Sequence, residues 1–124
     1  MNQKKKTVVV GASPNPSRYA YRASHMLSEY GHDIVPLSIK RGSVAGEEIK
    51  DLRQRPHISD IDTLTLYIGP QHHNQWMEYL LELSPRRIIF NPGTENPDFI
   101  AQAEAKGIEV VEGCTLVMLQ SGVY

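Results

Sequence analysis

The chain has 124 residues, 40% of them apolar and 22% charged, with a net charge of −1. That length fits one domain with little room for a second, substrate-binding one, and the near-neutral balance gives no global field favouring nucleic acid or an anionic membrane. A single cysteine, Cys114, excludes an internal disulfide and a zinc knuckle and suits a reducing cytoplasm, and no apolar run reads as a membrane span or a signal peptide.

Short β-branched runs alternate with helix-periodic stretches. Lys4-Lys5-Lys6 reads as a solvated strand end. Thr7–Val10 is apolar without alternation, the mark of a strand buried on both faces. Beyond Gly11, residues Ala20, Ala23, Leu27 and Tyr30 fall at helical spacing, and Gly31 caps that helix. Asp33–Ile39 reads as a second strand, peripheral or irregular at Pro36, which has no N–H to donate. Gly46–Arg53 reads as a short helix or turn. Thr63–Ile68 is a third strand, and Gly69-Pro70 opens a helix to about Leu83 with Trp76, Met77, Leu80 and Leu81 inward. Arg87–Phe90 is a fourth strand. Asn96-Pro97 starts a helix that runs to Lys106 and stops at Gly107, and Ile108–Val111 is the fifth strand. The tail Leu116–Tyr124 is too apolar for a free end, so it is expected to pack on the domain or to join two copies in a homodimer.

This alternation predicts one α/β domain over residues 1–124: a Rossmann-like, doubly wound sheet of about five mainly parallel strands with helices on both faces. Ligands of such sheets bind outside the carboxyl ends of the strands, at the switch point. Those ends are Gly11–Arg18, Ser38–Gly42, Ile68-Gly69-Pro70, Asn91–Thr94 and Gly113-Cys114.

The first of them, Gly11-Ala12-Ser13-Pro14-Asn15-Pro16-Ser17-Arg18, lacks the G-x-G-x-x-G fingerprint but keeps its physical parts. Gly11 allows a tight turn, Ala12 and Ser13 let backbone amides approach an anion, and a helix N-terminus follows. Ser13 adds a hydroxyl donor and Arg18 a charge. At the end of the second strand, where NAD-binding folds carry a carboxylate for the ribose hydroxyls, the chain reads Ser38-Ile39-Lys40-Arg41-Gly42, and no carboxylate appears until Glu47. Adjacent cations suit a phosphorylated ribose, as in CoA or NADP, better than two free hydroxyls.

Gly11-Ala12-Ser13-Pro14-Asn15-Pro16 with Arg18-Tyr19 resembles the opening motif of the small stand-alone CoA-binding domain proteins, Rossmann-like domains similar to that of succinyl-CoA synthetase α chains. The likeness extends to Leu27…Gly31-His32-Asp33-Ile34-Val35-Pro36, to Gly42–Gly46, to Asn91-Pro92-Gly93 and to Gly107–Val111 followed by Cys114. It implies CoA or adenine-nucleotide binding. By position it puts Gly11, Ala12, Ser13 and Arg18 at the pyrophosphate and Ser38 and Lys40 at the ribose and its phosphate. Ile68 would lie by the adenine, with Asn91, Pro92 and Gly93 along the far side. The chain departs from the family at Ile39-Lys40-Arg41, at Tyr67-Ile68-Gly69-Pro70, where an arginine often precedes the proline, and at Gly113-Cys114-Thr115.

Other candidates for chemistry are weaker. Cys114 has no His or Lys near it in sequence to lower its pKa, so a packed or idle thiol is expected, with a mixed disulfide to a CoA thiol as the alternative. His72 and His73 point about 100° apart on a helix and cannot easily share a metal, so solvated helix-start histidines and no metal site are expected, with a ligand contact at the cleft mouth as the alternative. Asp98 suits the dipole of its helix. The leading expectation is a module that binds CoA or acyl-CoA without catalysis of its own. Its alternatives are a small NADP-dependent oxidoreductase domain, short of a substrate pocket unless a dimer completes one, and an interaction protein with a vestigial cleft.

Overall fold

The computed structural model describes residues 3–124. Strands β1 (Thr7–Val10), β2 (Ile34–Ser38), β6 (Thr63–Leu66), β7 (Arg87–Phe90) and β8 (Glu109–Glu112) are the five read from the sequence. Three two-residue strands lie between β2 and β6: β3 (Ser43–Val44), β4 (Glu47–Glu48) and β5 (Lys50–Asp51). The main sheet has six strands in the order β5-β2-β1-β6-β7-β8, every neighbouring pair parallel. Chain order reverses between β1 and β6, so the crevice of the fold opens there, beyond Val10 and Leu66.

β1 shows why its run of valines does not alternate. Val8 and Val10 join one core layer, with Leu64, Leu66, Ile88, Phe90 and Phe99. Val9 faces the other, with Ala20, Leu27, Ile34 and Leu119. All three are fully buried, as a central strand covered on both faces requires. Helices α1 (Tyr19–Glu29) and α4 (Thr115–Ser121) cover the second layer; α2 (Met77–Glu82) and α3 (Pro97–Ala105) cover the first. The apolar tail therefore packs on its own domain, through Thr115 and Leu119 of α4 and the ring of Tyr124.

Pro36 lies in the strand next to the edge. Thr7 donates to Asp33 O and Gly11 to Leu37 O, so the backbone groups of odd-numbered β2 residues pair with β1 and those of Pro36, itself buried, point to the side of β5. There β5 covers only Leu37 and Ser38, and no ladder bond is lost to the missing N–H.

Three expectations are corrected. Gly46–Arg53 is neither a helix nor a plain turn. Antiparallel β3 and β4 turn over Ala45 (φ 51°) and Gly46 (φ 81°), both in the left-handed region that a two-residue hairpin requires, and β5 runs into a 3-10 turn at Leu52–Gln54. The helix expected from Gly69-Pro70 is broken into a 3-10 turn at Pro70–His72 and α2 from Met77, because His73-Asn74-Gln75 offers no apolar periodicity. The lysine run is more than a solvated end: Lys5 Nζ donates to Tyr124 O at 2.6 Å and Lys6 Nζ to Ser59 O at 2.6 Å, while Lys4 pairs only with Asp33 at the surface. No helix among the described residues is long and apolar enough to cross a membrane.

Candidate functional site

At the switch point, β1 and β6 diverge around a cleft of about 290 Å³, lined by Gly11, Ser13, Arg18, Tyr19, Ala20, Lys40, Tyr67, Gly69, Pro92, Gly93 and Thr94. Gly11 (φ 91°) donates to Leu37 O, and Tyr67 N donates to Val10 O. The ladder thus continues one residue past each strand before the chain turns away. The loop beyond Gly11 is held by its own side chains. Ser13 Oγ accepts from Asn15 N at 3.0 Å, Asn15 Oδ1 accepts from Ser17 N and Oγ, and Arg18 N donates to Asn15 O. Such a loop is fixed before any ligand arrives, which lowers the ordering cost of binding. It delivers the chain to α1 with Arg18 as its cap residue. No side chain caps α1 and no acidic residue lies in its first turn. The N–H groups and positive dipole end of α1 are left uncompensated by the chain itself, beside the cleft at Tyr19 and Ala20.

Of the residues named from the sequence, Gly11, Ser13, Arg18, Lys40, Pro92 and Gly93 come together on this wall. Ala12 is fully buried in the α1–α4 core layer. Ser38 is buried, and its Oγ accepts from Lys40 N at 3.1 Å, so it shapes the turn that presents Lys40. Ile68 packs against the opposite core layer. Asn91 is buried with every polar atom engaged: Nδ2 donates to Thr65 Oγ1 (2.7 Å) and Leu66 O (2.9 Å), and Oδ1 accepts from Thr115 N (2.9 Å). It binds the end of β6 to the start of α4, and only then does the chain enter the Pro92-Gly93 wall.

Sequence reasoning gave no ligand contact to Gly69 or Thr94, which sit at strand ends it singled out, nor to Tyr19, Ala20 and Tyr67, which flank those ends. Burial pushes the Tyr67 hydroxyl well above the ordinary phenol range; it lies by Thr65 and Thr115 without a well-formed hydrogen bond. Cys114 is half-exposed and off the cleft wall. Among the described residues no three His, Cys, Asp or Glu cluster as a metal site.

His73 corrects the reading of solvated histidines. It is 2% exposed, its Nε2 lies 2.7 Å from Ile68 O, and its Nδ1 lies 3.0 Å from Asn96 Nδ2. Burial holds its pKa below the usual imidazole value, against the opposing pull of the Ile68 carbonyl.

A second hollow, of about 490 Å³, adjoins the cleft at Lys40 and is lined by Ile39, Arg41, Gly42, Glu48, Asp51 and their neighbours. The cleft wall itself carries two cations, Arg18 and Lys40, and no Asp, Glu, His or Cys. In a concave site such a wall attracts an anion.

No curated protein matches the chain. It is similar to a solved structure described as an uncharacterized protein, with 46% identity over 99% of this chain and 100% of that one and a TM-score of 0.95. A hypothetical protein from Pyrococcus horikoshii (24% identity, 98% and 84% covered, TM-score 0.81) and a protein from Thermus thermophilus (23%, 98% and 91%, TM-score 0.82) share the fold. A family model described as a CoA binding domain matches residues 5–120, and the chain belongs to that family.

Proposed function

We propose that the chain binds coenzyme A or an acyl-CoA in this cleft, as a binding module without chemistry of its own. The observation that carries the reading is the wall on which the Gly11–Arg18 loop, the uncapped start of α1, Arg18 and Lys40 meet with no carboxylate among them. The diphosphate takes the loop and the helix N-terminus. Lys40, which lines both the cleft and the hollow beyond it, takes the phosphate on the ribose. A wall without Asp, Glu, His or Cys supports binding rather than turnover.

Calorimetric titration with CoA, acetyl-CoA, dephospho-CoA, NADP and NAD tests this reading. CoA is expected to bind more tightly than dephospho-CoA. Lys40→Ala is expected to weaken CoA about 5- to 10-fold, the value of one partly exposed charge-assisted contact, and to leave dephospho-CoA nearly unchanged. Tight NADP with no CoA binding favours an oxidoreductase domain instead. No heat with any of the five ligands overturns the nucleotide site.

A further inference from the structure

His73 joins two of the segments that wall the cleft, and its surroundings determine where its proton sits. Asn96 Oδ1 accepts from Asp98 N (3.1 Å) and Phe99 N (3.3 Å), capping α3. The amide oxygen of Asn96 is thereby committed to the helix, so its Nδ2 is the group that faces His73 Nδ1. Nδ2 is a donor only, so Nδ1 must accept and the imidazole proton resides on Nε2, where it donates to Ile68 O. One neutral tautomer satisfies every polar atom in this chain of contacts.

A second proton has no place there. On Nδ1 it would set an N–H against the N–H of Asn96, and rotating the Asn96 amide to receive it would strip two N–H groups of α3 of their cap. Burial adds to this cost. No carboxylate offsets it: Glu95 Oε1 is turned to Gly93 N (2.9 Å), and Asp98 Oδ2 is turned to Gln102 (3.2 Å). From its own turn the neighbouring cation-forming group is His72, which also disfavours the charge. On the remaining side the ring of Phe99 packs near-perpendicular to the imidazole with centroids 5.5 Å apart, and the carbonyl of His73 accepts from Trp76 N and Met77 N.

We propose that His73 is a positioning residue, a neutral clasp that ties the Ile68-Gly69 turn to the capped start of α3 and lets these two segments of the cleft wall part when it is protonated. Gly69 belongs to the first segment; Pro92, Gly93 and Thr94, which lead into Asn96, belong to the second. The proposal concerns the shape of the cleft and holds whatever ligand occupies it. Its sign follows from the depressed pKa. The unfolded chain takes the proton near pH 6.5, so the clasp contributes fully above that value and is lost as pH falls through the lower folded value.

The test uses the ligand-free protein, so it is independent of the CoA reading. Nitrogen-15 spectra of the imidazoles across pH 5–8 are expected to show His73 as the Nε2–H tautomer at neutral pH. The amides of Gly69, Gly93 and Thr94 are expected to shift with its protonation midpoint. His32 is also buried and held below its ordinary pKa, but its Nδ1 accepts from Lys5 N at the other end of the sheet, so its titration moves other amides. Asn96→Asp keeps an oxygen for the α3 cap and gives Nδ1 a carboxylate, so it is expected to raise the midpoint by about one pH unit or more. His73→Gln is expected to abolish the pH response of the three amides. An Nδ1–H tautomer, cleft amides that stay still while His73 titrates, or an unmoved midpoint in Asn96→Asp overturns the proposal.

Discussion

Replacing Gly11 with alanine is expected to cost the fold about 3 kcal/mol or more, from strain and steric conflict together. The residue sits at φ 91°, which an L side chain rarely adopts. A Cβ there would lie 3.0 Å from both C and O of Tyr67 and 3.1 Å from Ile68 Cγ1. Two of those atoms are backbone, one residue past β6, and cannot rotate aside. The sheet must open at its switch point, where the cleft forms. Gly31 separates the two terms. It has nearly the same φ, 89°, but a Cβ would meet nothing within 4 Å. Gly31→Ala is therefore expected to cost only the conformational part, roughly 1–2 kcal/mol. Urea unfolding of both variants gives the comparison. Equal losses would mean that β1 and β6 do not approach as closely at Gly11 as the structure has them, and a strictly steric role for this glycine would be discarded.

The same strand end shows how far the sequence reaches. Three valines after Thr7, followed by Gly11, read as a central strand with a sharp exit, and the small residues after it read as a loop open to an anion; both follow from local chemistry. Helix α3 was legible for the same reason, since Asn96-Pro97 carries its own start signal and the Asn96 side chain does cap the helix. The edge hairpin was hidden because β3 and β4 have two residues each, too few for a period, and their turn is Ala45-Gly46 rather than the Asn-Gly that announces such turns. The helix after β6 was overread because Pro70 is a good helix start but His73 is drawn inward by Ile68 O and Asn96, contacts 5 and 23 residues away in sequence.

Within the site, the difficulty was the direction of side chains rather than the choice of segments. All five loops at the carboxyl ends of the main strands were identifiable, yet a residue at a strand end faces either the cleft or its neighbours according to the pleat. Ile68, Ser38 and Asn91 face their neighbours, while Tyr67, one residue from Ile68, lines the cleft. A small polar residue at a strand end suits a ligand contact and a buried tie between elements equally well. Only the partners distinguish the two, and those of Asn91 lie 24 to 26 residues away.

Asn91→Asp tests that tie with almost no change of shape, and it is expected to lower stability by about 3 kcal/mol at pH 7. The carboxylate retains an oxygen to accept from Thr115 N. The other oxygen replaces a group that donated to Thr65 Oγ1 and Leu66 O. The Thr65 hydroxyl can rotate to donate to it, but the Leu66 carbonyl cannot, and two acceptors are left facing each other in a buried site. Protonation of the new carboxyl restores one donated bond, so its folded pKa is raised above the unfolded value near 3.9. The pH-dependent part of the loss is therefore absent below that unfolded pKa and grows as pH rises until the folded pKa is passed, while the second lost Nδ2 bond costs stability at every pH. The lowered pKa values of His32 and His73 are expected to make the parent protein lose stability in acid as well, so the quantity to follow is the difference between variant and parent at each pH. Asn91→Ala, which introduces no titrating group, is expected to lose a similar amount at every pH. If the Asp variant matches the Ala variant across the whole range, the Nδ2 bonds to β6 do not hold this corner together. In that case the Pro92-Gly93 wall owes its place to packing rather than to the hydrogen bonds of Asn91.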